Sequence, residues 1–502
     1  MEAVFSGITL ILEPFNLALI FMGVVIGVLV GVLPGLSSAM AVALLLPFTI
    51  GLEPVPAIAM MAALYCAGTF GGSITAILIN TPGAPPAIAT ALDGYPMAQR
   101  GEAGRALGMA AVASVCGGLF SLVVFILAAP ALAAIALQFR PQEYFALTLF
   151  GLSMLATISG KSSLRNLIAG ALGVLVSTIG VHLSTGVERF TFGISGLYEG
   201  INFVPVLIGL FAIGELLNQS QTLDRTVERI KSVAVRLPSR EDFRRVRWTI
   251  LRSSGIGTFI GILPAEGSTV AAIIGYNEAK RWSRNKEEFG KGAIEGIAGP
   301  EAANNAATGG AMVPTLALGI PGSGTTAIIL AALIMHGFRP GPYLVRETPE
   351  FIYAIFTAML VANFLFLGIG LAGAKIFSRI TLIPRTFLWP SVFVFSMVGA
   401  YAYGQTPFDV WVMLISGIVG FVMLRHGFGP APFVMGLILG RLVEETWSQS
   451  MVIMDGNWFG FLESPIVLMF LGLTLISLFW PLITEHAPKL FRGRRGAEAR
   501  SP

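Results

Sequence analysis

Short motifs with Pro and Gly interrupt otherwise apolar stretches of the 502-residue chain, and hydroxyl side chains adjoin each interruption. Pro breaks a helix. The helix that restarts after the break exposes backbone N–H groups and the positive end of its dipole, which together favour an anion. Because these motifs contain no Lys or Arg, an anion there would be held by N–H groups and hydroxyls alone. The candidate substrate-binding residues are Pro34, Gly35, Ser37, Ser38, Asn80, Thr81, Pro82, Gly83, Gly267, Ser268, Thr269, Pro321, Gly322, Ser323, Gly324 and Thr325.

Two acidic residues lie in the same apolar surroundings in the second half of the chain. Glu266 adjoins one of the breaks, and Glu301 shares one helical face with Asn304, Asn305 and Thr308. Acids at membrane depth are costly and usually functional. We therefore treat these five residues as candidates for ion coupling. The alternative is a hydrogen-bonded seam between packed helices, or a helix that starts nearer the surface.

Cofactor and metal chemistry receive no support from the sequence. The two cysteines, Cys66 and Cys116, both lie in apolar stretches and have no metal-ligand spacing. We expect no catalytic residue, no metal site and no cofactor, apart from a coupling cation that is either Na⁺ or H⁺.

The composition indicates a membrane protein. Hydrophobic residues make up 55% of the chain and charged residues only 12%, about half the share of a soluble domain. The stretches 15–33 and 106–139 contain no charged side chain, and about 20 such residues span a bilayer. Nucleic-acid binding is excluded because the basic residues lie in short loops between apolar spans.

The placement of Lys and Arg predicts the orientation, since these residues mark the cytoplasmic side. The acidic segment 444–463 has neither and is expected outside, together with the N-terminus, whereas the C-terminus is expected inside. Of the 32 Lys and Arg residues, 27 lie in segments that we assign to the cytoplasm, namely 93–105, 161–165, 218–252, 277–291, 374–386, 425–426 and 484–502.

The chain also resembles itself. Residues 33–38 (LPGLSS) match 263–268 (LPAEGS) at an offset of 230, and residues 79–83 (INTPG) match 318–322 (LGIPG) at an offset of 239. With the charge pattern, these matches predict two inverted repeats, in which the hairpins 15–50 and 250–280 open to opposite sides. Inverted repeats with broken helices are typical of secondary transporters.

These patterns predict an all-α polytopic membrane protein with inverted structural repeats, re-entrant helical hairpins and discontinuous helices. An ordinary alternative for any single break is a kinked helix capped by Ser or Thr; the symmetric recurrence favours a binding site. The predicted divisions are a first repeat 1–217 (hairpin 15–50, broken helix 57–92, four spans), a basic cytoplasmic linker 218–249, a second repeat 250–443 (hairpin 250–280, broken helix 292–336, four spans), and an extra span with a basic tail, 444–502.

At these motifs the sequence resembles the TctA family, the large membrane subunit of tripartite tricarboxylate transporters. The resemblance extends over essentially the whole chain. The stretches that carry it are 31–38 (GVLPGLSS), 65–73 (YCAGTFGGS), 80–83 (NTPG), 299–308 (GPEAANNAAT) and 319–324 (GIPGSG).

The resemblance implies a bacterial inner-membrane location and two partners, which are a small TctB-like membrane subunit and a periplasmic TctC-like solute-binding protein. It implies uptake of citrate or a related carboxylate, driven by an ion gradient. The absence of a phosphate-binding loop sequence agrees with a transporter that does not use ATP. The alternatives are an anion channel or exporter, an intramembrane enzyme, for which no nucleophile or zinc motif is present, and a structural subunit without a site of its own.

Overall fold

The computed structural model describes residues 2–33, 35–157, 163–182, 185–220, 235–264, 267–373 and 385–479. Nearly all the regular structure in these ranges is helical. The helices of the first half are α1 (Glu2–Leu12), α2 (Pro14–Val32), α3 (Ser38–Leu45), α4 (Pro54–Ile79), α5 (Ala87–Met97), α6 (Ala103–Ala136), α7 (Pro141–Ser153), α8 (Ser163–Ser177), α9 (Phe203–Ile208) and α10 (Gly214–Gln219).

Shorter elements complete the first half. A π-helical turn, Gly209–Ile213, joins α9 to α10, and two short antiparallel strands precede them, β1 (Gly180–Val181) and β2 (Glu188–Arg189). The helices of the second half are α11 (Arg240–Ile262), α12 (Gly267–Trp282), α13 (Glu295–Leu318), α14 (Gly324–Met335), α15 (Pro342–Glu347), α16 (Pro349–Ala372), α17 (Arg385–Gly404), α18 (Pro407–Arg425), α19 (Pro430–Ile453) and α20 (Pro465–Phe479).

The fold is that of an all-α polytopic membrane protein, as the composition predicts. Five of the described helical segments are long and apolar enough to cross a membrane. They are Pro14–Val32, Pro54–Ile79, Ala87–Ala136, Pro349–Ala372 and Pro407–Arg425.

Each half contains a helical hairpin followed by a broken helix. In the first half, α2 and α3 form the hairpin, and α4 and α5 the broken helix; in the second, α11 and α12 are followed by α13 and α14. Helices α4 and α13 both end on a residue with positive φ, Asn80 at 50° and Gly319 at 71°. The N–H groups of Thr81 and Ile320 each bond a carbonyl oxygen six residues back, at 3.4 and 3.2 Å. The two breaks therefore have the same local geometry.

The hairpins also pack on the broken helices in the same register. A Cβ atom added to Gly31 would lie 2.5 Å from the carbonyl oxygen of Gly68, and one added to Gly261 would lie 2.4 Å from that of Ala307. These two contacts are related by the offsets of 230 (Gly31 to Gly261) and 239 (Gly68 to Ala307). Because no side chain fits between the backbones, glycine allows α2 to approach α4, and α11 to approach α13, as closely as they do.

The basic linker is shorter than the sequence predicts. Helix α11 begins at Arg240, inside the predicted range 218–249, because Ser239 and Asp242 form a reciprocal cap: Ser239 Oγ accepts from Asp242 N at 3.0 Å. Arg105 at the start of α6 pairs with the same carboxylate. The basic residues from Arg240 onward thus belong to the hairpin.

The chain forms two compact units that cut across the predicted repeat boundaries. The first contains Met1–Leu137 and Asn202–His426, and therefore both hairpins and both broken helices. The second contains Gln138–Ile201 and Gly427–Pro502. Within the second unit α8 packs on α19, where a Cβ at Gly436 would lie 2.0 Å from the carbonyl oxygen of Gly170.

Candidate binding site

Helix α3 begins at the tip of the first hairpin, where its sequence provides a turn and a cap. Gly35 has φ +91°, a conformation that glycine adopts readily. Gln219 Nε2 donates to the Gly35 carbonyl oxygen. Ser37 is the N-cap and accepts from the Met40 N–H at 3.1 Å. The remaining N–H groups of the first turn have no partner within the helix.

Helix α14 begins after the second break with a more complete cap. Ser323 Oγ accepts from Thr326 N at 3.2 Å, and Thr326 Oγ1 accepts from Ser323 N at 2.8 Å. Ahead of them, Gly322 N donates to Thr315 Oγ1 at 3.3 Å. Thr325, in the first turn, is buried. The start of α14 is thus fixed in position and lined with hydroxyl groups.

These two helix starts meet the same turn of α4. The Tyr65 hydroxyl lies 3.3 Å from Ser323 Oγ. A Cβ added to Gly68 would lie 2.6 Å from Ser38 Oγ. Tyr65 and Gly68 are three residues apart and so lie on one face of the helix. We call this arrangement the first junction: the start of α3 at Ser37–Ser38, the start of α14 at Ser323–Thr326, and the α4 turn from Tyr65 to Gly68.

Helices α3 and α14 lie side by side, and because their starts meet the same turn of α4 and their opposite ends also lie together, they run in the same direction. Past their opposite ends, Thr49 Oγ1 lies 3.1 Å from His336 Nε2. Two parallel helices place both positive dipole ends on the same side. The segments α3, α4 and α14 contain no Lys or Arg. The first junction therefore combines two helix starts with hydroxyl groups in a setting without a cation of its own, a chemistry suited to a carboxylate.

The first break packs against the same hairpin tip. A Cβ added to Gly83 would lie 1.8 Å from the carbonyl oxygen of Gly31, near the end of α2. Gly83 N donates to the Gly72 carbonyl at 3.2 Å. Thr81 Oγ1 donates to the Ile79 carbonyl at 3.2 Å, and Asn80 is exposed. Of the candidates at this break, Gly83 therefore packs against the end of α2 at the hairpin tip, whereas Asn80 is exposed.

The candidates of the second hairpin lie elsewhere. Gly267, Ser268 and Thr269 form the first turn of α12. Ala271 of that helix packs against Ala303 and Ala307 of α13, and α5 packs against both helices. We call this the second junction: the start of α12 against the α13 turn from Asn304 to Ala307. By the offset of 239, it is the counterpart of the first junction.

Glu301 is fully buried one turn before the second junction, and three hydroxyl groups from three helices surround its carboxylate. Ser73 Oγ of α4 donates to Oε1 at 2.5 Å, and Thr90 Oγ1 of α5 donates to the same oxygen. Ser114 Oγ of α6 donates to Oε2 at 2.9 Å. In the part of the chain that the structure describes, no Lys, Arg or His nitrogen lies within 4 Å of this carboxylate.

The other polar residues of this helical face lead from Glu301 toward the first junction. Asn305 Nδ2 donates to the Glu301 carbonyl at 3.1 Å, and Thr308 Oγ1 donates to the Asn305 carbonyl at 2.7 Å. The Thr308 side chain lies beside Cys66, the neighbour of Tyr65 in sequence. Asn304 Nδ2 and Asn305 Oδ1 are buried and form no hydrogen bond with the described residues. Free polar atoms at this depth indicate space for a polar ligand or water.

A second buried carboxylate holds α5 in place. Asp93 Oδ1 accepts hydrogen bonds from the N–H groups of Gly290, Gly292 and Ala293, each at 2.8 Å. These amides belong to the loop before α13, so the contact joins α5 of the first broken helix to the second half of the chain.

Several of these residues were not among the sequence candidates. Tyr65, Cys66 and Thr69 correspond to Asn304, Asn305 and Thr308 at the offset of 239, so the repeat itself could have singled them out. Nothing in the sequence marks the three hydroxyls around Glu301, because they are contributed by three separate helices. Two candidates, Pro34 and Glu266, lie outside the described residues.

The second unit contains a small charged cavity of about 30 Å³, which has space for only one or two water molecules. In it Arg189 pairs with Glu444. Arg441 and Glu445 lie in the lining as well. No group of three or more His, Cys, Asp or Glu side chains that could hold a metal ion occurs in the described ranges.

Comparison with known proteins points to one family. The family model described as "Tripartite tricarboxylate transporter TctA family" matches residues 17–435. An Agrobacterium vitis protein described as "Uncharacterized 52.8 kDa protein in TAR-I ttuC' 3'region" is 38% identical over 489 residues, covering 97% of each chain. A second protein from the same organism, "Uncharacterized protein in TAR-II ttuC' 3'region", is 37% identical over 233 residues, which is 46% of this chain and 96% of that protein. No solved structure matches the chain.

Proposed function

Because the chain belongs to the tripartite tricarboxylate transporter TctA family, we propose that it is the membrane subunit of a secondary active importer of carboxylates. In this proposal a periplasmic solute-binding protein delivers the substrate, a small TctB-like subunit completes the membrane complex, and an ion gradient drives uptake. The location is the bacterial inner membrane, with the N-terminus periplasmic and the C-terminus cytoplasmic, as the distribution of Lys and Arg favours.

The observation that supports a carboxylate substrate best is the first junction. Two parallel helices start beside one turn of α4, at Ser38 and Ser323, and the Tyr65 hydroxyl is 3.3 Å from the Ser323 hydroxyl. A carboxylate placed there would accept hydrogen bonds from N–H groups and hydroxyls while the helix dipoles offset its charge. A site without Lys or Arg binds an anion without a fixed ion pair, and weak, reversible binding suits a carrier that must release its substrate.

The repeated architecture supports alternating access. Both hairpins and both broken helices belong to one compact unit, and the hairpins pack on the broken helices in the same register in both copies. We propose that the two copies are inverted across the membrane and that the hairpins and broken helices move as a body, in an elevator-like motion. Crosslinks that fix this body to the remaining spans should abolish uptake; unimpaired uptake in the crosslinked protein would rule out the motion.

The function is tested by reconstituting the chain with its small membrane subunit in proteoliposomes. The binding protein is first screened against citrate, malate and succinate, and the best ligand is then used, in labelled form, for uptake. We expect saturable uptake that requires the binding protein and an ion gradient. Conductance that does not saturate and needs no gradient would instead identify an anion channel.

A matched pair of variants connects uptake to the first junction. Ser323→Ala removes a hydroxyl at the start of α14, whereas Ser391→Ala removes one on α17. We expect Ser323→Ala to raise the KM for the labelled carboxylate by at least about tenfold, since a hydrogen bond to a charged group contributes about 1.5–3 kcal/mol. Equal KM values for both variants and the wild type would place the substrate elsewhere.

A further inference from the structure

The carboxyl group of Glu301 differs in its surroundings from that of Asp93, another fully buried acid of the same unit. Asp93 accepts three backbone N–H groups on a single oxygen. An N–H group is only a donor, so none of these three partners could accept a carboxyl proton. Glu301 instead meets three hydroxyl groups, those of Ser73, Thr90 and Ser114.

A hydroxyl group can both donate and accept a hydrogen bond. When Glu301 is ionised, all three hydroxyls donate to it. When Glu301 is protonated, one hydroxyl can rotate and accept the carboxyl proton while the other two remain donors. Both protonation states are therefore satisfied by the same side-chain positions, and neither requires the helices to move. A carboxyl group that must gain and lose a proton inside a protein needs such an environment, because an unsatisfied buried charge is costly.

The position of Glu301 does not suit a bound metal cation such as Na⁺. Transporter sites for Na⁺ use backbone carbonyl oxygens freed where helices unwind. Glu301 lies inside α13, Ser73 inside α4 and Ser114 inside α6, where the carbonyl oxygens are used in helical hydrogen bonds. Thr90 lies in the first turn of α5, beside the first break, but a helix start leaves N–H groups and not carbonyl oxygens without partners. The second break begins at Gly319, 18 residues further along α13, or about 27 Å at 1.5 Å per residue. A proton requires no cage of carbonyl oxygens.

The same carboxyl group is well placed to affect both halves of the chain. Its hydroxyl partners come from α4 and α5, which flank the first break, and from α6. Asn305 continues the polar face of its helix as far as Thr308, which lies beside Cys66 in the turn of α4 that forms the first junction. By the offset of 239, α4 carries Ala62 at the equivalent position, so the acid occurs in one copy only.

The remaining ionisable groups on the helices packed against α13 lie apart from this carboxylate or already have partners. Asp93 is held by backbone N–H groups, Glu295 pairs with Arg245, and Asp242 pairs with Arg105. The others on these elements are Tyr65, Cys66, Tyr95, Cys116, Arg240, Glu241, Arg244, Arg247, Arg252, Tyr276, Glu278, Lys280, Arg281, Tyr343, Arg346 and Glu347. Of the Lys and Arg residues in this set, none comes within 4 Å of Glu301.

From this geometry we infer that the coupling ion is a proton and that Glu301 carries it. The inference rests on the proposed carboxylate import. In each cycle the ionised carboxylate of Glu301 takes a proton from the outer aqueous phase, forming one O–H bond. It releases that proton to the cytoplasm when the bond breaks again. Charge and atoms balance, since one proton enters with the substrate for each protonation of Glu301.

The experiment uses the reconstituted complex with its binding protein, the labelled carboxylate identified by the screen, and a pH-sensitive dye inside the vesicles. With wild type we expect uphill uptake driven by a pH gradient, substrate-dependent acidification of the lumen, and no requirement for Na⁺. We expect Glu301→Gln to lose uphill uptake and acidification but to retain exchange of labelled for unlabelled substrate at equal pH. Glu287→Gln, on an exposed loop, is the matched control and should behave as wild type.

The outcomes separate the two proposals. If wild type transports no carboxylate at all, the proposed function fails. If wild type transports but requires Na⁺ without acidification, or if Glu301→Gln still acidifies the lumen in step with uptake, the proton inference is overturned. Should Glu301→Gln not fold, Glu301→Asp decides: the shorter acid should shift the pH profile of uptake, and an unchanged profile would overturn the inference.

Discussion

The hydroxyl of Tyr65 in α4 lies 3.3 Å from the hydroxyl of Ser323 at the start of α14, although 258 residues separate them in sequence. This contact joins the first segment of one broken helix, α4, to the second segment of the other, α14. Ser38, at the start of α3, meets α4 one turn away at Gly68. The first junction is therefore formed between the two halves, and neither half alone contains it.

The Tyr65 hydroxyl is expected to contribute to substrate affinity without being needed for folding. Tyr65→Phe keeps the ring and removes only the polar atom, so the buried packing is preserved. We expect the KM for the labelled carboxylate to rise by about tenfold or more, because a hydrogen bond to an anion contributes about 1.5–3 kcal/mol. Uptake kinetics in proteoliposomes provide the measurement. Tyr95→Phe on α5 is the control, and an equal effect of both substitutions would argue against a direct role of Tyr65.

Replacing Asp93 should loosen the contact between α5 and the loop before α13. In Asp93→Ala no side-chain oxygen remains to accept from the N–H groups of Gly290, Gly292 and Ala293, so these donors lose their partner. We expect a loss of about 2 kcal/mol or more of unfolding free energy, seen as a lower Tm in detergent. Hydrogen exchange at the three amides should accelerate. Glu287→Ala, at an exposed position of the same loop, serves as the control, and slow exchange retained in Asp93→Ala would contradict the assignment.

The close approach of hairpin and broken helix depends on glycine at specific positions. A Cβ in Gly261→Ala would lie 2.4 Å from the Ala307 carbonyl oxygen, so α11 and α13 would have to separate. Overpacking of this kind costs about 1–3 kcal/mol. Gly255→Ala in the same helix meets nothing within 4 Å and should be neutral or stabilise the protein by up to about 1 kcal/mol. Thermal unfolding of both variants gives the comparison; similar Tm values would exclude the proposed close contact.

The ion pair of Arg189 and Glu444 should make the second unit sensitive to acid. The Arg189 guanidinium beside Glu444 holds the pKa of that carboxyl below its usual value, about 4.3 in model peptides. The folded form thus binds protons less readily than the unfolded form, and the stabilisation is complete above the usual value and lost as the pH falls through the lower, folded one. Thermal unfolding between about pH 6 and pH 3 should show this loss in wild type. Glu444→Gln should lack it, and an identical pH profile would disprove the contribution of the pair.

The sequence by itself determined the membrane class, the all-α fold, the hairpins, the breaks and the family, because these follow from local properties. A low content of charged residues and long apolar stretches predict helices that span a bilayer. Pro and Gly predict helix interruptions, and the similar motifs LPGLSS and LPAEGS predict an internal repeat. Glu301 was recognisable too, since an acid in an apolar helix is conspicuous wherever its neighbours lie.

Only the tertiary structure decided which of these features meet. It placed Ser38 and Ser323 along one turn of α4, and it placed Gly267, Ser268 and Thr269 at the second junction, against α13. It also supplied Ser73, Thr90 and Ser114 as partners of Glu301. Isolated Ser and Thr residues are common in apolar helices and carry no distinguishing local pattern. Their convergence depends on helix rotation and crossing, which are set by packing contacts such as those of Gly31 and Gly261 between segments far apart in the chain.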